Sequence, residues 1–191
     1  MTDTIETAFA AYVAGLPRAD GGVQVGEMSG LGIATVIARA GKAGELGAKL
    51  GVDLIDAPKR TAAGSRAAIG TGPGAWLLLD EAPDEATWFE TLEQATAGLA
   101  SVFDQSSGYA MLRVEGPQAA ALIGKGAFLD LHPSAFPSGS AAVTVIAHIG
   151  AILWRVEHDR FEIAVFRSFA GSFWHWLATA AMASGIPLRR A

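Results

Sequence analysis

Four histidines are the first residues to test for chemistry, because imidazole binds metals and moves protons near neutral pH. They are His132, His148, His158 and His175. None stands four residues from another, so no helical metal pair is encoded; a site gathered from distant positions stays open. Asp130 and His132 form an i,i+2 pair in a Pro-rich stretch. They read either as an acid–base pair or as side chains that bond their own turn. No serine stands in a Gly-x-Ser-x-Gly elbow. Gly70-x-Gly72-x-Gly74 has the wrong spacing for a dinucleotide loop, and Gly30-x-Gly32 precedes its strand instead of following it. Arg167 stands directly before a helical stretch. There it either holds an anion at the helix start or pairs with a carboxylate such as Asp130 or Asp104.

The elements that would carry these residues can be read from periodicity. Residues 1–30 predict an N-terminal arm, irregular apart from a short helix at Ile5–Val13. Residues 31–191 predict one α+β domain of two pseudo-repeated halves, about 31–100 and 101–185. Leu31–Ala40 reads as a strand, and Lys42–Leu50 as a short helix closed by Gly51. Residues 56–68 read as a loop, and Ile69–Leu79 as a turn entering a buried strand. A helix starts at Pro83-Asp84-Glu85 with Asp84 as its cap, and Trp88, Phe89, Leu92, Ala95 and Leu99 line its apolar face. Ser101–Gln105 and Tyr109–Glu115 read as strands, with a helix opened by Gly116-Pro117. Ala142–Ile149 and Ala151–Glu157 read as a hairpin turning at Gly150. Arg160–Arg167 is a last strand, and Ser168 caps a helix reaching about Met182.

That last helix is apolar on two stripes. Phe169, Phe173, Trp176, Leu177 and Ala180 lie on one; Ala170, Trp174, Ala178 and Ala181 lie on the other. Such a helix is either deep core or a core helix whose second stripe meets another chain, with Trp174 as anchor and His175 at the rim.

Composition excludes some classes. The 191 residues are 51% hydrophobic and 17% charged, with net charge −5. The charge is −6 over residues 1–100 (7 basic, 13 acidic) and +1 over 101–191 (7 basic, 6 acidic). No basic stripe for nucleic acid emerges. The acidic cluster around Asp80–Glu93 reads as a solvated helix start. Low charge fits either a large core or apolar surface covered by a partner. Without cysteine there is no disulfide, thiolate or cysteine-held metal. No signal-peptide pattern and no membrane-length apolar run stand in the sequence, so the expected location is cytoplasmic.

The second half carries a resemblance. Leu129-Asp130-Leu131-His132-Pro133, Ala135-Phe136-Pro137-Ser138-Gly139, Leu153-Trp154-Arg155, Arg167-Ser168-Phe169-Ala170 and Phe173-Trp174-His175-Trp176-Leu177 occur in this order, after Gly116-Pro117. Together they resemble the gamma subunits of heterotetrameric sarcosine oxidase, from about Trp76 onward. The resemblance implies an α+β fold of duplicated β-α-β units, like the folate-binding domain of the glycine-cleavage T-protein and the TrmE and YgfZ groups. It implies a non-catalytic chain in a tetramer with alpha, beta and delta subunits, chiefly touching alpha. Such a complex oxidises sarcosine to glycine, forms hydrogen peroxide and passes a one-carbon unit to tetrahydrofolate. FAD and FMN would belong to beta and its boundary with alpha, NAD and folate to alpha, zinc to delta. No catalytic, cofactor or metal residue carries over to this chain. The alternatives are a gamma-type subunit acting on another N-methyl amino acid, and a stand-alone folate-binding or aminomethyl-transfer module. The last would need a pterin-holding carboxylate, for which Asp104, Asp130 and Glu162 are the candidates.

Overall fold

Strands whose consecutive residues are all apolar must be covered on both faces, and the fold is built around that demand. The computed structural model describes residues 7–84 and 86–191. After helix α1 (Ala10–Ala14) come β1 (Val23–Met28), β2 (Gly32–Ala38), α2 (Ala43–Leu50), β3 (Arg60–Ala63), β4 (Arg66–Gly72), β5 (Ala75–Asp80), α3 (Trp88–Ala95) and β6 (Ala100–Asp104). The second half adds β7 (Tyr109–Glu115), α4 (Ala119–Ile123), β8 (Ala141–Ile146), β9 (Ile149–Glu157), β10 (Arg160–Phe166), a 3-10 turn (Arg167–Phe169), α5 (Ala170–Ala183) and β11 (Leu188–Arg190).

Two sheets result, ordered β3-β4-β5-β2-β6 and β11-β1-β7-β10-β9-β8. Strand alternation sorts the side chains into three apolar layers. Trp76 and Leu78 of β5 pack with Leu46, Leu50 and Leu92 of α2 and α3. Leu77 and Leu79 of the same strand face the other sheet, meeting a layer that holds Met111, Ile152, Trp154 and Ala164. Beyond that sheet, Leu112, Leu153 and Ile163 pack on Leu122, Phe173 and Leu177 of α4 and α5. The order is helices, sheet, sheet, helices.

The two halves share their strand order. β3-β4-β5-β2 corresponds to β8-β9-β10-β7, with a helix after the first and the fourth strand of each run in the chain. In the first half β6 completes the sheet beside β2. In the second, the equivalent lane beside β7 is taken by β1 from the N-terminus, and β11 lies outside it, parallel to β1.

This placement corrects the expected arm. Val23 and Val25 are fully buried in a strand with neighbours on both sides, although Gly, Asp and Gln around them hide the alternation. The expected Ile5–Val13 helix lies partly outside the described residues and appears within them as α1. The expected loop at 56–68 contains β3 and the start of β4, hairpinned on each other; short, Ala-rich strands carry little β signal. α3 starts at Trp88 and Thr87 precedes it without a side-chain cap. Asp84 holds the turn before it: its carboxylate accepts the Ala86 N–H (3.3 Å) and its backbone carbonyl the Thr87 and Trp88 N–H, while Glu85 lies outside the described residues. The β8–β9 hairpin turns at Ala147-His148, both with positive φ (50° and 67°), not at Gly150. Ser168 makes no capping bond and sits in the 3-10 turn. Gly51 closes α2 in the left-handed conformation, as its position predicts.

Gly70 marks a close approach between β4 and the segment that leads into β3 from residue 57. A Cβ there would stand 2.0 Å from the Ala57 carbonyl oxygen, a rigid backbone atom. Gly70→Ala is therefore expected to lower stability by about 1–3 kcal/mol, read from the urea midpoint; an unchanged midpoint would show that the 57–60 segment can move aside.

Candidate functional site

Each sheet buries one carboxylate, and the two are held by the same device. Glu162, 2% exposed, accepts Nε (3.1 Å) and Nη2 (2.8 Å) of Arg113 and the Trp154 indole N–H (2.8 Å). Its donors come from β7 and β9, the strands that flank β10. Asp80, 4% exposed, accepts Arg66 Nε (3.0 Å), Ser65 Oγ (2.8 Å), the Ala82 N–H (3.1 Å) and, at 3.3 Å, the Trp88 indole N–H. Burial pushes the Asp80 carboxyl up, but these hydrogen bonds and the Arg66 charge outweigh it and hold its pKa below the ordinary value. Both oxygens of each carboxylate are thus committed, so Glu162 is a packing element and not a free pterin acceptor.

Arg155 is a buried cation without a carboxylate. It is 1% exposed, lies with Cζ 4.5 Å from the Phe161 ring centroid and donates Nη2 to the Leu131 carbonyl, tying down the Pro-rich loop. Nε and Nη1 have no partner among the described residues, and burial lowers its pKa against the opposing pull of Asp159.

The expected stripe on α5 turns out to be filled from within. Ala170 and Trp174 are 3% and 9% exposed, and Ala178 is half-buried; His175 stays exposed at the rim. Tyr12 of α1 stacks on Trp174, rings 5.5 Å apart and 17° from parallel. The N-terminal segment therefore seals the stripe, and Trp174 is core in this chain. Glu27 fastens that segment by accepting the Phe9 N–H (2.8 Å) and the Thr7 hydroxyl. Sequence reasoning missed this because Glu27 and Tyr12 belong to a stretch without clear periodicity.

A cavity of about 450 Å³ opens where β1, β2 and the β6–β7 turn meet. Glu27, Asp104, Ser106, Tyr109 and Arg167 supply its polar lining, and Trp88, Phe89 and Met111 its apolar lining. The structure thus brings Asp104 and Arg167 to one cavity. Asp104 also accepts the Ser106 N–H at 2.8 Å. Asp130 does not line that cavity; its carboxylate accepts the His132 N–H (2.8 Å), and the His132 ring meets Ser134 Oγ (2.7 Å), so the pair bonds its own turn. Tyr109 stacks on Phe166 (5.0 Å), and burial raises its pKa. Among the described residues no cluster of three or more His, Cys, Asp or Glu is placed to hold a metal, and no helix is long and apolar enough to cross a membrane.

Layers and strand order define the class. The glycine-cleavage aminomethyltransferase T from Bartonella henselae superimposes with TM-score 0.64 over 88% of this chain and 48% of that one, at 16% identity, so the chain has the T-protein fold. A chain of the heterotetrameric sarcosine oxidase from Corynebacterium sp. U-96, in complex with pyrrole 2-carboxylate, matches with TM-score 0.83 and 28% identity, covering 93% of this chain and 95% of that one. Curated relatives are sarcosine oxidase subunit gamma of Corynebacterium sp. (strain U-96), 33% identical over 60% of this chain and 55% of that one, and of Arthrobacter sp., 32% identical over 78% and 74%. In sequence the chain thus spans about half the length of the Corynebacterium relative. The model of the "Sarcosine oxidase, gamma subunit family" matches residues 35–183. The chain belongs to that family.

Two outcomes follow from the geometry. Trp174→Ala should cost about 3–5 kcal/mol in urea unfolding, as for a core aromatic; a loss within 1 kcal/mol, by the same yardstick, would return the stripe to the surface. Because the Asp80 pKa is lowered on folding, its contribution is present above the ordinary carboxylate pKa and is lost as pH falls below about 4. Asp80→Asn should be less stable at pH 7 by about 1–3 kcal/mol, with the gap to wild type shrinking on acidification. A gap that stays constant from neutral to acid pH would contradict this.

Proposed function

We propose that the chain is the gamma-type subunit of a cytoplasmic heterotetrameric sarcosine oxidase and acts by assembly, not by catalysis. The observation that carries this is the match over 93% of the chain to a chain of the Corynebacterium complex. The commitment of both buried carboxylates to arginine and indole partners supports it, since those groups hold strands together. In this reading the flavins, NAD, tetrahydrofolate and zinc are held by alpha, beta and delta subunits, and sarcosine is oxidised there.

Co-expression tests it. A tagged copy should retain the other three chains through gel filtration at equal stoichiometry. Omitting this chain should lower the yield or melting temperature of the remaining complex, with turnover per flavin little changed. A monodisperse monomer that leaves the flavoprotein chains behind would overturn the assignment.

A second reading, a folate-binding module, has one observation in its favour: the 450 Å³ cavity, where Asp104 is the carboxylate available from the three candidates. Titration of the isolated chain with a reduced folate decides it. Binding predicts a rise in melting temperature that Asp104→Asn abolishes; no shift at saturation ends it.

A further inference from the structure

Among the described residues, three of the four sheet edges are protected in familiar ways. β11 is three residues long with two arginines, β3 is four residues long and starts at Arg60, and β6 ends in Asp104. The fourth edge, β8, runs Ala-Ala-Val-Thr-Val-Ile for six residues without charge, proline or glycine.

The hydrogen-bond parity of β8 is fixed at its start. Ser140 accepts the Arg155 N–H at 2.9 Å, so it faces β9. Ala141 donates to the Pro58 carbonyl at 2.9 Å, so it faces outward. Val143 and Val145 share the parity of Ala141 and turn their N–H and C=O groups outward as well. The lane is closed at both ends by the chain itself, through Pro58 at Ala141 and through Gly126, which accepts the Ala147 N–H at 3.0 Å. Ala127 also bridges Ile146, so the open window spans residues 142–145, roughly 13 Å at about 3.3 Å per residue. The Val143 and Val145 side chains stand 61% and 40% exposed. Beside Val143 opens a groove of about 390 Å³ walled by Pro58, Gly70, Gly72 and Pro73.

Charge narrows the occupant. Exposed Lys59 stands at one end of the window, next to Ser140, and exposed Lys125 at the other, next to the 126–127 segment. Asp56, in the groove, is committed to the Gly74 N–H at 2.8 Å. A second copy pairing antiparallel would set the Lys59 end against the Lys125 end, twice over. An extended segment with acidic flanks meets complementary charge at both ends.

We propose that the β8 edge, centred on Val143 and Val145, accepts a short extended segment of a partner chain, with acidic residues flanking small or apolar ones. Main-chain hydrogen bonds to the two valines set its register, and its apolar side chain enters the groove beside Val143. The proposal rests on the chain being an assembly subunit and names the surface that does the assembling.

Hydrogen exchange on the co-expressed complex tests it. The Val143 and Val145 amides should exchange at least about tenfold more slowly in the complex than in the isolated chain. Val143→Pro removes an outward N–H and spares the β8–β9 ladder, so it should weaken assembly by about tenfold or more. Unchanged exchange at both amides within an intact complex overturns the edge and leaves the gamma assignment standing. If the wild-type chain joins no complex, the assignment falls and the edge proposal falls with it. Protection that rises with concentration in the isolated chain would give the edge to a second copy and overturn the proposal too.

Discussion

The packing of one sheet face on the other is the constraint that the rest of the molecule answers to. With helices on the outer faces, the central strands have no side left for water. Trp76-Leu77-Leu78-Leu79 shows the consequence: alternate residues serve different layers, and all four are buried. The 51% hydrophobic and 17% charged composition follows from three apolar layers in a chain of this length. A covering partner is not needed to explain it.

A layer this dry makes any buried charge costly, and the two carboxylates are managed alike. Glu162 ties β10 to β7 through Arg113 and to β9 through Trp154. Asp80 ties β5 to β4 through Arg66 and to α3 through Trp88. Each fixes strand register at one point, because a slip by one residue would leave a carboxylate unpaired. Arg155 solves the same problem with an aromatic ring and a loop carbonyl. Polar residues that look available for chemistry in the sequence are in this way spent on holding the sheets.

The N-terminal segment completes the packing and decides which surfaces remain. β1 occupies the lane beside β7 that β6 occupies beside β2, and Tyr12 closes over Trp174. Helix α5, doubly apolar in sequence, buries residues of both stripes, Phe173 and Leu177 on one and Ala170, Trp174 and Ala181 on the other, while Phe169 at its start stays exposed. Exposed apolar groups include Val143 and Val145 on β8, Phe166 at the end of β10, and Phe169 and Met182 at the two ends of the last helix.

The amino-acid sequence by itself determined the α+β class, the elements whose pattern is strong and local, and the family. Tyr109–Glu115, Arg160–Phe166 and α2 with its Gly51 stop are legible because alternation, helical spacing and a left-handed glycine act over a few residues. The ordered segments from Leu129 to Leu177 are legible because loop and aromatic residues hold fixed spacing. Only the tertiary structure decided that β1 is a strand, that Tyr12 covers Trp174, that Glu27 anchors the N-terminal segment, and that Asp104 and Arg167 line one cavity while Asp130 does not. Each of these depends on residues tens of positions apart meeting across a sheet. Spacing along the chain encodes which face a residue takes; which partner covers that face is settled when the sheets pack.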